Sequence, residues 1–480
     1  MASLKGNIIL NALNTITGII FPIVTFPYAA RVLEPEGIGE VNFLNSIIGY
    51  ILLITSLGIP MYGVKEIAKY RNDKEARDRI AIELLILSLI LCVLGYAVVW
   101  ALAKFVPQIH EEAPVFYVLS LSILFTAIGV NWFYQGIEDF KFITVRGIII
   151  RVISAVCLFI FVKNKTDLLA YGAILVSSFV GNYIINFFHL KNHISFSSIS
   201  IKTIDVLRHI KPTLQVFLLN VISSLYLQLN SVMLGFMSDD TEVGYFTAGT
   251  KITHIVILLI TSATTVLIPR ASNLIKEGNK EGFSKIINQT ITLTSLFAYP
   301  ITIGLMILAS PITLIFCGPE FYGSIPVLLL NAPLILVISY TSIMAHQTLY
   351  PMEKIKIVIY SVSGGAITNI IFNILLIPYY GATGAAFSTL LTEVVVFLIL
   401  LFFGKKYYPF KRNKFLSIKY LTGSIIMGVF IWFSLFLPVT LWIKLCIGVI
   451  VGILVYFVFL LAIHDNIIQI IKKKTLILDS

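Results

Sequence analysis

Charge is what this chain has least of. Only 12% of its 480 residues are Asp, Glu, Lys or Arg, and 58% are hydrophobic, whereas soluble domains carry about 25% charged residues. Cysteine is scarce too. Cys92, Cys157, Cys317 and Cys446 all lie in apolar stretches with no CxxC or Cys/His spacing, so neither a metal site nor a disulfide framework is expected. The loops on one side of the apolar runs are short, leaving no room for the folded domain that a sugar-transferring enzyme needs. No Ser/His/Asp arrangement is present to staff one. The adjacent acids Glu138 and Asp139 in "IEDFK" (137–141) sit beside a lysine and read as a solvated turn. A non-enzymatic role without cofactor is the expectation.

Apolar runs are plentiful. Fourteen follow one another, from 7–29 and 41–63 to 416–437 and 440–463, each long enough to cross a ~30 Å hydrocarbon core as a helix. The mean hydropathy is +0.94. The expected fold class is an all-α polytopic membrane protein with about 14 transmembrane helices. The first run exceeds twenty residues and no small-residue cleavage site follows it, so it reads as a retained helix and not a signal peptide.

The net charge of +11 would suggest nucleic acid in a soluble protein. Here the charges sit between spans, and nucleic acid is not expected. With the N-terminus inside, the alternate inner segments hold 28 Lys and Arg residues and the outer ones only four: Arg31, Lys104, Lys163 and Lys165. That asymmetry places both termini in the cytoplasm. Arg151, Lys251 and Lys444 fall within spans.

Two phrases echo each other. "RVLEPEGIGEVNF" (31–43) and "MSDDTEVGYFTAG" (237–249) each separate two apolar runs, with Gly39 aligned to Gly244 at an offset of 205. Upstream, Asn11 aligns with Asn220. Downstream, "GIPMYGVKEIAKYRNDKEARDRI" (58–80) aligns with "LIPRASNLIKEGNKEGFSKI" (267–286). The shared order points to a duplication. Copies with an even number of spans have the same orientation and are related by an axis along the membrane normal. The expected domains are a six-helix lobe at 1–205, a second at 206–403, and a basic linker, two further helices and a tail at 404–480. The repeated glycine reads as a tight-turn residue at the outer corner of each lobe.

These stretches, with "PYAARVLEPEGIGEVNF" (27–43) and above all "NWFYQGIEDFKFITVRGII" (131–149), resemble a bacterial polysaccharide flippase of the Wzx type. That type belongs to the multidrug/oligosaccharidyl-lipid/polysaccharide exporter superfamily with its MATE-like fold, and the resemblance covers roughly residues 5–405. It implies a protein that moves undecaprenyl-diphosphate-linked oligosaccharide repeat units from the inner to the outer leaflet by alternating access, for O-antigen, capsule or exopolysaccharide assembly. Membrane lipids and a polysaccharide polymerase complex would be its other partners. The competing readings are a cation-coupled multidrug or small-molecule exporter, a lipid II flippase and, from another class, a membrane glycan polymerase or ligase.

Such a cargo calls for a cationic, polar cavity. Ionisable residues inside spans are costly and usually face a cavity or a partner. Arg151 lies near mid-membrane, to hold diphosphate or to form an ion pair. Lys251 and His254, one turn apart, bind cargo or, respectively, snorkel outward and pack between helices. Arg31 caps the first span, as a phosphate ligand or as a partner of Glu34 or Glu36. Asn11 and Asn220 line a sugar path or bond between helices. Glu393 is the one deep acid, either paired within its lobe or exchanging a proton or sodium ion. Glu83, a turn inside its span, is expected in a surface ion pair. Span 1 has no acid at all, which favours anionic over cationic cargo.

Overall fold

The computed structural model describes residues 4–194, 204–265, 267–409 and 418–463, with side chains throughout except at 4–12, 14, 15, 219–227 and 263–265. Among the described residues there are helices and turns and no strand. In hydrocarbon every backbone polar group must be satisfied internally, and the helix does this within one segment.

The first half of the chain forms α1 (Leu4–Ser56), α2 (Ile59–Lys69), α3 (Lys74–Phe105), α4 (Pro107–Glu111), α5 (Ala113–Ile128), α6 (Asn131–Gly136), α7 (Phe140–Phe161) and α8 (Leu168–Leu190). It continues with α9 (Ile210–Met237), α10 (Asp240–Thr265), α11 (Ile268–Lys276), α12 (Lys280–Ile307), α13 (Ala309–Phe316) and α14 (Ser324–Asn331). The last elements are α15 (Leu334–Ser342), α16 (Ile355–Gly404), α17 (Ile418–Ser434) and α18 (Leu441–Ala462).

Among the described residues, ten helical segments are long and apolar enough to cross a membrane. Two of these carry an internal break: α1 at Glu34 (φ 59°) and α16 at Gly381 (φ 49°). Each therefore accommodates two of the expected spans, and a total of about fourteen is compatible with the architecture.

The described chain packs as two compact units, Met1–Thr247 and Ala248–Ser480. In the first, α1 lies against α3, α5, α7 and α9, and α5 and α7 both pack on α8. Its core at the end that carries the basic loops joins Ile67, Leu84, Trp132, Phe133 and Tyr134. In the second, α12 is central. It packs against α15 and the π-helical stretch Ile343–Leu349 on one side and against α17 on another.

The repeat is visible in the elements. α2 and α11 are short amphipathic helices, each with proline in its first two positions. The long helix that follows is capped in the same way in both copies: Asp73 accepts from Ala76 N, and Asn279 from Gly282 N. A match that the sequence did not reveal comes later. Glu138 and Glu353 both adopt left-handed backbone (φ 61° and 60°) immediately before the next long helix.

Gly39 and Gly244 correct an expectation. Neither has positive φ; the left-handed residue at the first corner is Glu34. These glycines serve close approach instead. A Cβ on Gly39 would lie 1.6 Å from the Asp240 carbonyl oxygen, and one on Gly244 would lie 1.9 Å from that of Pro35. The tight turn reading fails because the helix breaks at Glu34, five residues before Gly39.

Candidate functional site

The middle of the 22-residue α7 carries Arg151. A helix rises 1.5 Å per residue, so this guanidinium sits about halfway through the span. It is partly buried, and its Nη1 donates to Thr17 Oγ1 on α1 at 2.8 Å. Thr17 in turn donates to the Leu13 carbonyl at 3.0 Å. Gly18 leaves room beside the pair: a Cβ there would come within 3.7 Å of Arg151 Nη2. Two helices and a missing side chain thus hold one cation deep in an apolar bundle.

Arg31 is exposed near the break of α1. Glu34, one of its two expected partners, pairs with Lys165 at 2.5 Å. Lys251 and His254 lie on α10, the lysine half-buried and the histidine exposed. Neighbouring positions of that helix are fixed by packing: Gly249 lies against Val327, and Thr250 accepts from Asn331 Nδ2 at 3.2 Å. Glu393 is buried on α16, after Thr392, whose methyl faces Gly365 across the helical pair. The facing limb presents Ser361, Gly365, Asn369 and Asn373, one per turn and all buried. Asn373 donates to Asn369 at 3.1 Å, so this pair is engaged in packing. Asn11 and Asn220 lie on helices but outside the residues whose side chains are described.

Glu83 is not at the surface. It is fully buried and paired with Arg208 and with His209 Nε2 (2.8 Å). It also accepts from Asp205 N at 2.8 Å. Burying a carboxylate costs several kcal/mol unless charges and donors surround it, and here three partners do. The cluster ties the start of α9 to α3. The acids of "IEDFK" are in a turn as expected: Glu138 pairs with Arg71 at 2.7 Å, and Asp139 caps α7.

Two features escaped sequence reasoning. The first is an acidic group formed by the segments between spans at 30–40, 104–113 and 237–243. Glu40 there is buried, and its carboxyl is pushed up to about 9 by desolvation, by a hydrogen bond with Glu112 and by the charges of Glu112, Asp240 and Glu36. Asp240 is raised to about 6 by burial and the same acidic neighbours, with Asp239. The second is Arg146, whose setting is described below. In the second unit, an apolar groove of about 560 Å³ runs between α12, α17 and α18, lined by residues such as Phe297, Pro300, Met427 and Gly452.

A helical membrane protein with duplicated elements, short loops and cations within its spans has the architecture of a transporter. The chain belongs to the polysaccharide biosynthesis protein family, whose model matches residues 4–275. It is 25% identical over 405 residues to the putative O-antigen transporter of Escherichia coli (strain K12), covering 84% of this chain and 96% of that protein. Among solved structures it is similar in fold to the lipid II flippase MurJ in an inward closed conformation. That likeness has a TM-score of 0.77 at 18% identity and covers 96% of this chain and 99% of the other. An inward-facing multidrug resistance transporter of the MATE family gives a TM-score of 0.63 at 16% identity, over 82% and 94% of the two chains.

Proposed function

We propose that the protein is a flippase for undecaprenyl-diphosphate-linked oligosaccharide, carrying repeat units from the inner to the outer leaflet for surface polysaccharide assembly. The observation that carries this reading is Arg151, a guanidinium held at mid-span with Thr17 Oγ1 among its partners. A charge at that depth is costly and marks a pathway more often than a structural bond. Guanidinium binds phosphate oxygens with paired, charge-assisted hydrogen bonds. Lys251 and His254 are the corresponding groups of the second unit, and Arg31 lies at the outer end of the first. The absence of any acid from span 1 agrees with anionic cargo. The groove along α12, α17 and α18 has the apolar lining that a polyprenyl tail requires. A relative matched over nearly its whole length is described as a putative O-antigen transporter, which supports the same cargo class.

Native mass spectrometry of the protein extracted gently from its host tests the reading. A polyprenyl-diphosphate glycan should co-purify with the wild type and with Arg151→Lys, and be depleted about tenfold in Arg151→Gln. A bound lipid carrying a peptide-bearing muropeptide would move the assignment to a lipid II flippase. A cationic small molecule retained by Arg151→Gln would move it to a drug exporter.

A further inference from the structure

Arg146 occupies the second turn of α7 and is 6% exposed. Of its nitrogens, Nη2 donates weakly to Asn131 Oδ1 at 3.3 Å, while Nε and Nη1 have no hydrogen-bond partner. Among the described residues no carboxylate lies within ion-pairing distance of it. The guanidinium sits instead 4.7 Å from the Phe142 ring centre and 5.9 Å from that of Tyr134. Aromatic faces offset part of the desolvation of a cation, but they leave N–H donors unspent. Buried donors without partners are costly, and each calls for an account such as water, an ion or a ligand.

The same residue lines a cavity of about 480 Å³ wholly within the first unit. Lys141 stands exposed at its mouth. The one acid in the lining, Asp139, uses its Oδ1 to accept from Phe142 N at 3.2 Å. The remaining walls are apolar, and three of them, Val145, Ile149 and Ile185, are 47%, 51% and 42% exposed. The cavity lining therefore combines two cations with an open hydrocarbon face. A glycan would find almost no hydroxyl partners there, and a free anion would leave the apolar face unused. A phosphate joined to hydrocarbon chains satisfies both ends.

We propose that this cavity is a binding site for an anionic phospholipid, with its phosphate on Arg146 and Lys141 and an acyl chain along Val145, Ile149 and Ile185. The site is separate from Arg151, and its occupant is a resident lipid of the bilayer, not the transported cargo. The phosphate meets the Arg146 guanidinium where it lines the cavity, and the exposed Lys141 adds attraction.

The test is a native mass spectrometric titration of delipidated full-length protein with phosphatidylglycerol, repeated with phosphatidylcholine. Wild type should hold one phosphatidylglycerol about tenfold more tightly than Arg146→Gln does, the scale of charge-assisted hydrogen bonds to phosphate. Phosphatidylcholine should show no such difference. Lys141→Gln, an exposed and structurally harmless change, should weaken the same lipid by about twofold, and it carries the test should Arg146→Gln fail to fold. Equal retention in wild type and Lys141→Gln, or in wild type and a folded Arg146→Gln, overturns the proposal. So does displacement of the bound lipid by millimolar inorganic phosphate, which would make the site one for a free anion. Displacement by a polyprenyl-phosphate glycan at equimolar concentration would make it a cargo site and overturn the phospholipid assignment.

Discussion

Glu40 carries a proton where a carboxylate would ordinarily have none. Its side chain faces Glu112 at the end of α4, Asp240 at the start of α10 and Glu36 on its own helix, and burial adds to their repulsion. In the unfolded chain it ionises near 4.5, and in the folded chain near 9. Between those values the folded state binds the extra proton, so stability is greatest at low pH and falls as pH rises towards 9. Asp240 adds a smaller slope in the same sense between 3.8 and about 6. Apparent melting temperature should therefore decline from pH 5 to pH 9. Glu40→Gln should flatten most of that decline and melt above the wild type at pH 8. A variant with an unchanged slope would show that Glu40 is not the titrating group. Single residues differed in how openly the sequence displayed them. Arg151 and Glu393 interrupt apolar runs and stand out. Glu40 is hidden in a phrase already rich in glutamate, and Arg146, five residues beyond Lys141, passes for part of a basic turn. Burial, which gives both their chemistry, depends on elements distant in sequence.

Elements meet most closely at glycine. A methyl group on Gly39 would overlap the Asp240 carbonyl, and backbone cannot give way as a flexible side chain can. Gly39→Ala should force α1 and α10 apart at a cost of about 1–3 kcal/mol, with surface-polysaccharide assembly impaired in a complementation assay. Gly172→Ala serves as the control, because its Cβ would make only ordinary contacts, the nearest at 3.6 Å to Leu119. Equal effects of the two changes would refute the close-contact account. The repeat was legible in the first pair of spans, where proline, glycine and lysine recur at nearly constant offsets. It was harder to read at Glu138 and Glu353, where the offset has grown to 215 and the Glu and a Lys three residues on, Lys141 and Lys356, are what is retained.

The whole molecule was the most legible scale in one respect and the least in another. Run length and composition alone gave a multi-pass helical membrane protein, since hydrocarbon thickness and backbone satisfaction allow few alternatives. Packing was not readable in the same way. The first compact unit extends to Thr247 because α9 lies along α1, a long-range contact that no local pattern announces. The orientation expected from loop charge, with both termini inside, makes a direct prediction. In a cysteine-free background, Cys placed at Lys165 should react with a membrane-impermeant maleimide in intact cells. Cys placed at Lys276 should react only after permeabilisation. The opposite labelling would invert the topology and return the inside assignment of both termini to question.

The contact at Gly39 and Gly244 has a further property. Pro35 stands four residues before Gly39, and Asp240 four residues before Gly244, so each glycine meets the counterpart of the residue that its own twin's partner occupies. Such an exchange is the signature of a two-fold, self-complementary interface. The exchange binds the two corners to one constraint: a side chain added at either glycine runs into the backbone beside the other.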